Sequence, residues 1–300
     1  ADTVPFKEPR LGSFGELWSH KTQEQILATP VLSDDLLIYG TFSNTLEAIS
    51  RDNGAEAWSM QMKNPVFAIT KGTDDIIYSA EGLHDTQAAS LTAIHSTNAK
   101  IIWEREFLGH LEETATLDPS RNRIWISAGP GGIWALDIRN ARVLWHQKLG
   151  HIDAWALLHD GVLYVPAGDD QPDPKTSFYA LNAKTGKTLW AISQPGQPWG
   201  SPKIDKSEKI ILTTTGMGQI GVNKNSDKGW AQGISTDGKL LWQTELPGMS
   251  IQPSNYIPET NTIIHATTNG WLVALHAADC SPPSNAQISL DLRCAAPLLS

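Results

Sequence analysis

Six tryptophans recur in one repeated phrase of this chain, 40 to 52 residues apart by subtraction of their positions. In five of the phrases an alanine or glycine and then an aliphatic residue precede a turn, and the tryptophan follows the turn. The six are Trp18, Trp58, Trp103, Trp145, Trp190 and Trp242. A repeat of this length, built from short strands, is typical of arrays with one supersecondary unit per repeat. Because the repeat runs almost from end to end, it predicts a propeller.

Each repeat divides into four short strands. In the unit that ends at Trp145, alternating apolar residues predict strands over residues 114–117, 123–127, 133–137 and 142–147, separated by Gly, Pro, Asn and Asp. The whole chain contains six sets of first-to-third strands and seven candidate fourth strands, including those around Trp18 and Ile288. We therefore predict an all-β propeller of four-stranded blades, with six blades favoured and seven as the alternative.

The repeated tryptophans are predicted to be structural. A large indole wedged between neighbouring blades buries apolar area while its N–H reaches a backbone acceptor. A small residue stands before the aliphatic one in four phrases, where we expect neighbouring sheets to pack closely: Ala48, Ala93, Ala135 and Ala180.

Length and charge limit the classes of function. The predicted organisation is an arm over residues 1–13, a single propeller over 14–292 and a tail over 293–300. A formal net charge of −9 and a pI near 5.4 exclude nucleic acid, which needs a basic surface, and disfavour an anionic membrane. Since no run approaches 18 consecutive apolar residues, direct membrane insertion is not expected.

The two cysteines and the first residues of the chain indicate the cellular compartment of the protein. Cys280 and Cys294 flank a predicted hairpin with Pro282 and Pro283 in its turn, which favours a disulfide and an oxidising compartment. The alternative is two unpaired thiols in the cytosol. The opening Ala1 with the residues after it suits a mature end left by signal-peptide cleavage, so a periplasmic or other extracytoplasmic location is expected.

Two loops with a shared pattern are the candidate site. Gly-His begins both 109–113 and 150–154, so His110 and His151 are predicted to occupy equivalent places in adjacent blades. Each histidine is followed two residues later by a carboxylate, Glu112 or Asp153. Two imidazoles with carboxylates nearby suit a divalent metal or an acid–base pair. The alternative is turn chemistry repeated by duplication.

Other residues are predicted to share that face of the propeller. Trp155, Trp199 and Met249 fall near one register and would line a central funnel, either for a ligand or as packing. The connections between second and third strands are long at 81–90, 168–177 and 216–229, and long insertions on one face favour a binding surface. One of them concentrates three acidic residues, either as oxygen ligands or as a solvated loop: Asp169, Asp170 and Asp173.

The phrase resembles the pyrroloquinoline-quinone-like repeat, Ala-x-Asp-x-x-Thr-Gly-Lys-x-x-Trp. The run from Ala180 to Trp190 matches it best, with Asn182 in place of the usual Asp. That family includes quinoprotein dehydrogenases, sensor domains and the propeller lipoprotein of the outer-membrane β-barrel assembly machinery. The chain is more similar to the last than to the dehydrogenases, because its two cysteines are not adjacent and no calcium site maps onto it.

The favoured function is therefore recognition without catalysis. We expect an extracytoplasmic scaffold that binds a protein partner or an extended ligand through one loop face, with no cofactor. One alternative is a quinone- or metal-dependent oxidoreductase that uses the funnel. The other is the ligand-sensing domain of a larger receptor.

Overall fold

The structure is a computed structural model that describes residues 15–22, 24–26, 28–82, 88–168, 177–217, 228–251 and 254–281. Regular structure in these residues is β, apart from a single turn of 3-10 helix at Pro119–Arg121. Within the described ranges, no helix has the length and apolar character needed to span a membrane.

The strands form six antiparallel sheets, numbered in chain order, and each strand pairs with its neighbour in sequence. Sheets 1 to 3 are β1 (Val31–Ser33), β2 (Leu36–Gly40), β3 (Thr45–Ser50), β4 (Glu56–Gln61); β5 (Val66–Lys71), β6 (Ile76–Glu81), β7 (Ala89–His95), β8 (Ile101–Phe107); β9 (Thr116–Asp118), β10 (Arg123–Ser127), β11 (Ile133–Asp137), β12 (Val143–Gln147). Sheets 4 to 6 are β13 (Leu157–His159), β14 (Val162–Ala167), β15 (Ser177–Asn182), β16 (Thr188–Ser193); β17 (Gln197–Ile204), β18 (Ile210–Met217), β19 (Lys228–Ser235), β20 (Leu240–Leu246); β21 (Asn255–Ile257), β22 (Thr262–Ala266), β23 (Leu272–His276).

This order confirms the predicted all-β propeller with six blades. Five sheets have four strands, and the described part of the sixth has three. Its predicted fourth strand, around Ile288, lies outside the described residues, as do the predicted arm over 1–13 and the tail over 293–300. The predicted strand around Trp18, at the other end of the chain, is wrong, because residues 15–22 form no strand.

Apolar clusters join each sheet to the next. Ile38 of sheet 1 packs in one cluster with Ile77 of sheet 2, and Trp125 of sheet 3 packs in another with Leu163 of sheet 4. Similar clusters join sheets 2 and 3, 4 and 5, and 5 and 6. Sheets 2 to 5 pack in this way on both neighbours, so their inner strands bury most of their side chains.

All six repeated tryptophans bond across a sheet boundary. Each indole N–H donates to a backbone carbonyl in the turn after the third strand of the next sheet, a contact that we call the indole clamp. The donor and acceptor pairs are Trp58 to Ser96, Trp103 to Ile138, Trp145 to Ala183, Trp190 to Thr236, Trp242 to Ala277 and Trp18 to Arg51. The distances lie between 2.8 and 3.1 Å. Trp18 lies in no strand. Its indole nevertheless makes the same contact with sheet 1 that the tryptophan of each other sheet makes with the sheet after it.

The small residue of the phrase faces the tryptophan across the strand pair. Ala48 is directly opposite Trp58, and Ala93 is opposite Trp103. In sheet 5 the small residue is Gly233, where an added Cβ would lie 2.2 Å from the Nε1 atom of Trp242. A register shift follows the pair in each of these sheets. The residue is small because the indole lies over it, not only because neighbouring sheets pack closely.

The turn of the phrase needs one left-handed residue, and glycine adopts that conformation at least cost. Gly54 has φ +69° and its Cα faces the ring of Trp18. Cys280 occupies the same turn position in sheet 6, with φ +62°. The cysteine is fully buried and no cysteine of the described ranges is free. Cys294 lies outside those ranges, so the pairing with Cys280 stays a prediction.

Candidate functional site

One face of the propeller carries both kinds of connection that the sequence analysis singled out. In an antiparallel sheet, the second and fourth strands end where the first and third begin, so both connections lie at one edge. We call these connections, from all six sheets, the loop face. Backbone hydrogen bonds join neighbouring connections to each other. The N–H groups of Leu111, Ile152 and Thr268 donate to the carbonyls of Gly82, Gly129 and Met249, respectively.

His110 and His151 occupy equivalent places on the loop face. His110 lies between sheets 2 and 3, and His151 lies between sheets 3 and 4. The residue after each histidine, Leu111 or Ile152, donates its N–H to the sheet before it. His151 is also held by a pair of backbone bonds with Gly168, both 2.7 Å long.

The two imidazoles meet at one carboxylate oxygen. The Nε2 atom of His110 lies 2.8 Å from Oδ1 of Asp153, and the Nε2 atom of His151 lies 2.7 Å from the same oxygen. The two Nε2 atoms are 3.2 Å apart. His110 is buried, whereas His151 and Asp153 keep a small exposed fraction. Among the described residues, these are the three whose ligand atoms converge as a metal site would require.

Gly129 shapes the wall of this cluster. It has φ +49°, and an added Cβ would lie 2.3 Å from the Cε1 atom of His110. The imidazole therefore lies directly on the backbone of sheet 3. A larger residue at position 129 would have to displace the ring as well as adopt a left-handed backbone.

Asp153 is ionised because of its two partners. Burial acts to raise the pKa of the Asp153 carboxyl, but the hydrogen bonds and positive charge of His110 and His151 outweigh burial and hold that pKa well below its usual range. A negative charge therefore sits at the centre of the cluster over the ordinary range of pH.

A second acidic group nearby has the opposite behaviour. Burial raises the pKa of Glu113 to about 7, against the N–H of Thr114, and the charges of Asp153 and Glu112 add to the rise. The Lys203 ammonium opposes it. Burial in turn lowers the pKa of Lys203, whose Nζ atom lies 4.7 Å from the centre of the Trp155 ring.

Two of the residues predicted to line a funnel differ in exposure. Trp199 is partly buried at the start of β17. Met249 is fully buried against Gly216, where an added Cβ would lie 2.2 Å from the methionine Cγ, so this side chain is packing beneath the loop face. The acidic residues Asp169, Asp170 and Asp173 lie outside the described residues.

Sequence reasoning missed two parts of this face. Glu113 and Lys203 carry no signal, because neither belongs to the repeated phrase. Four exposed apolar side chains were also missed, three of them on connections and one at the end of β18, although an aromatic or aliphatic residue in a loop is a usable signal. They are Phe42, Leu108, Met217 and Trp271, with exposed fractions of 42%, 82%, 53% and 44%.

Comparison with known proteins identifies the family. The family model described as outer membrane protein assembly factor BamB matches residues 15–192, more than half of the chain. The chain belongs to this family. The resemblance to pyrroloquinoline-quinone-like repeats is thereby confirmed.

The curated relatives include assembly factors and a dehydrogenase. Outer membrane protein assembly factor BamB of Shewanella oneidensis is 22% identical over 65% of this chain and 50% of its own length. A polyvinylalcohol dehydrogenase of a Pseudomonas species is 26% identical over 51% of this chain and 26% of its own length. The chain thus spans about half the length of the BamB relatives that it matches.

The fold also matches solved structures. The quinohemoprotein alcohol dehydrogenase of Comamonas testosteroni superposes with a TM-score of 0.62 and 12% identity, over 84% of this chain and 58% of that one. At this identity the likeness shows the propeller fold alone.

Proposed function

We propose that this chain is a non-catalytic extracytoplasmic scaffold that holds a protein partner on its loop face and so takes part in outer membrane protein assembly. Membership of the BamB family supports the role in outer membrane protein assembly, since the relatives are named as assembly factors. The observation that carries the binding role is the set of exposed apolar side chains on the loop face.

Those side chains come from separate parts of the ring. Phe42 belongs to sheet 1, Leu108 to the connection between sheets 2 and 3, Met217 to sheet 5 and Trp271 to sheet 6. Single exposed apolar residues are ordinary on a soluble protein. Aromatic residues and methionine are enriched in protein interfaces, however, and Phe42, Met217 and Trp271 place three such side chains on one face.

The partner is expected to be a protein and not a nucleic acid or a lipid surface. The chain has a net charge of −9, which repels phosphate backbones and anionic headgroups. A neutral or basic protein surface with apolar side chains would suit both the charge and the exposed residues. The quinone-dependent alternative has weaker support, because the dehydrogenase relative is matched over only 26% of its own length.

The test compares two pairs of substitutions in cells. Phe42→Asp with Trp271→Asp places charges on the loop face, and Leu189→Asp with Ile257→Asp places them on similarly exposed residues near the opposite face. Each pair is expressed in a deletion strain of the source organism, and the fraction of folded outer membrane proteins is measured by heat-modifiable gel mobility.

We expect the loop-face pair to fail to restore folded outer membrane proteins and the control pair to restore them, with both proteins folded by circular dichroism. Full restoration by the loop-face pair would show that binding uses another surface. A deletion strain with normal folded outer membrane proteins would contradict the role in assembly.

A further inference from the structure

The geometry points to a divalent-metal site formed by His110, His151 and Asp153, of the class that binds zinc or a similar first-row ion. This site goes beyond the proposed scaffold function and is independent of it, because it lies among buried side chains and not on the exposed apolar residues.

The first argument is that hydrogen bonds alone do not account for the contacts. The two Nε2 atoms and Oδ1 of Asp153 form a triangle with sides of 2.7, 2.8 and 3.2 Å. Each Nε2 atom carries at most one hydrogen and the ionised carboxylate carries none. At most two of the three sides are therefore hydrogen bonds. A shared cation satisfies all three atoms at once through their lone pairs.

The second argument is the spacing of the nitrogens. Zinc binds imidazole at about 2.0–2.1 Å, so two histidine ligands of a tetrahedral ion lie about 3.3–3.4 Å apart. The observed 3.2 Å between the Nε2 atoms is already close to that distance. The two sides to Asp153 are shorter, and the carboxylate would have to move by about 0.5 Å to admit the ion.

The third argument is that the ligands are held in place before any ion arrives. The backbone bonds between His151 and Gly168 fix one connection, and the bond from Ile152 to Gly129 fixes it to sheet 3. His110 comes from another connection, and its ring lies against Gly129. An ion at the triangle would link two connections of the loop face, and a preformed site loses less entropy on binding.

The chemistry of the surroundings also suits a cation. Two imidazoles and one carboxylate are a ligand set used by divalent first-row ions, including zinc sites that keep a fourth position for water. Glu113 adds a carboxyl group within electrostatic reach of Asp153. The small exposed fractions of His151 and Asp153 leave a path for an ion and a water ligand.

The test is zinc binding by the full 300-residue chain after treatment with a chelator. Zinc alone is titrated against a chromophoric competitor, and melting temperature is followed in parallel. We expect one zinc per chain, a rise in melting temperature that a chelator reverses, and binding at least about 100-fold weaker in His151→Gln. Glutamine keeps a donor for Asp153, so a purely hydrogen-bonded role would be rescued by this variant.

The matched control is His146→Gln, five residues earlier. His146 is a partly buried histidine whose Nε2 atom bonds the carbonyl of Gly131 at 2.7 Å and whose ring stacks on Trp134, outside the triangle. Its variant should bind zinc as the unchanged protein does. No stoichiometric binding at micromolar zinc, or equal binding by His151→Gln, would overturn the proposal.

Discussion

Two connections of the loop face make the same backbone hydrogen bond to the next sheet but carry different side chains at that point. One joins sheets 3 and 4, and the other joins sheets 5 and 6. Gly168 N–H donates to the carbonyl of His151 at 2.7 Å, and Thr268 N–H donates to the carbonyl of Met249 at 2.8 Å. His151 then joins a polar, charged cluster with Asp153. Met249, on the other side of the ring, is fully buried against Gly216.

The difference shows which part of the repeat is needed for folding. The backbone bond between a connection and the next sheet recurs, because packed sheets must satisfy the N–H and C=O groups that they bury. The side chain at that point is not fixed by the bond. It stabilises the packing on the side of sheets 5 and 6 and gathers ligand atoms on the side of sheets 3 and 4.

The largest expected effect is loss of packing at Met249. Met249→Ala removes a fully buried side chain and should lower the free energy of unfolding by about 2–5 kcal/mol. His151→Ala, at the equivalent place, should lower it by about 1–2 kcal/mol, since it mainly loses a hydrogen bond. Urea denaturation measures both, and Met249→Leu, which keeps the volume, should cost less than about 1.5 kcal/mol. Equal losses at the two positions would mean that both sides serve packing.

The second effect is a pair of opposed pH dependences. Burial lowers the pKa of His265 in sheet 6 to about 4, from 6.5. Between these values the unfolded chain binds a proton that the folded chain does not, so this contribution to stability grows as pH rises. Glu113 has a pKa raised from 4.5 to about 7. Its contribution is fully present below pH 4.5 and is lost as pH rises through 7. Each amounts to about 3 kcal/mol at most.

The two contributions oppose each other between pH 4.5 and 6.5, and single variants should separate them. With a chelator present, unfolding free energy should rise with pH more steeply in Glu113→Gln than in the unchanged chain. In His265→Gln the unfolding free energy should instead decrease with pH when compared with the unchanged chain. Urea titrations at four pH values test this. Identical slopes in all three proteins would show that neither group is shifted by burial.

The smallest effect concerns a feature that the two sides share. Trp103→Phe and Trp242→Phe each remove an indole N–H bond to the next sheet, 2.9 Å to Ile138 and 3.0 Å to Ala277. Each should cost about 1–3 kcal/mol, from the carbonyl left without its donor and from the buried volume lost with the smaller ring. Thermal unfolding of both variants checks this. A loss at one position only would show that the clamps differ between the sides.

The fold was predictable because one phrase carries several local rules together. Its small residue, its left-handed turn residue and its tryptophan have fixed spacing, and five copies make chance agreement remote. The details at the ends were less predictable. In residues 15–22 the Trp18 indole makes its bond to the next sheet, but the strand predicted around it does not form. Cys280 occupies the left-handed turn position of the phrase, whereas the sequence analysis placed it beside a hairpin.

The candidate site was predictable in part for the same reason. The duplicated Gly-His pair placed His110 and His151 on neighbouring connections, and Asp153 followed from its spacing. Glu113 and Lys203 could not be found, because their properties arise from burial and from partners in other sheets. Met249 shows the opposite limit, since position in the repeat alone does not say whether a side chain faces solvent or its own backbone.

The indole clamps all point the same way around the ring, from one sheet to the one after it. At sheet 1 the donor is Trp18, which lies in no strand and whose indole N–H donates to the carbonyl of Arg51 at 2.8 Å. Few backbone hydrogen bonds protect a segment that lies outside any strand, as residues 15–22 do. Local opening should begin there, and amide hydrogens of β1 and the turn at Gly54 should exchange before those of the inner sheets.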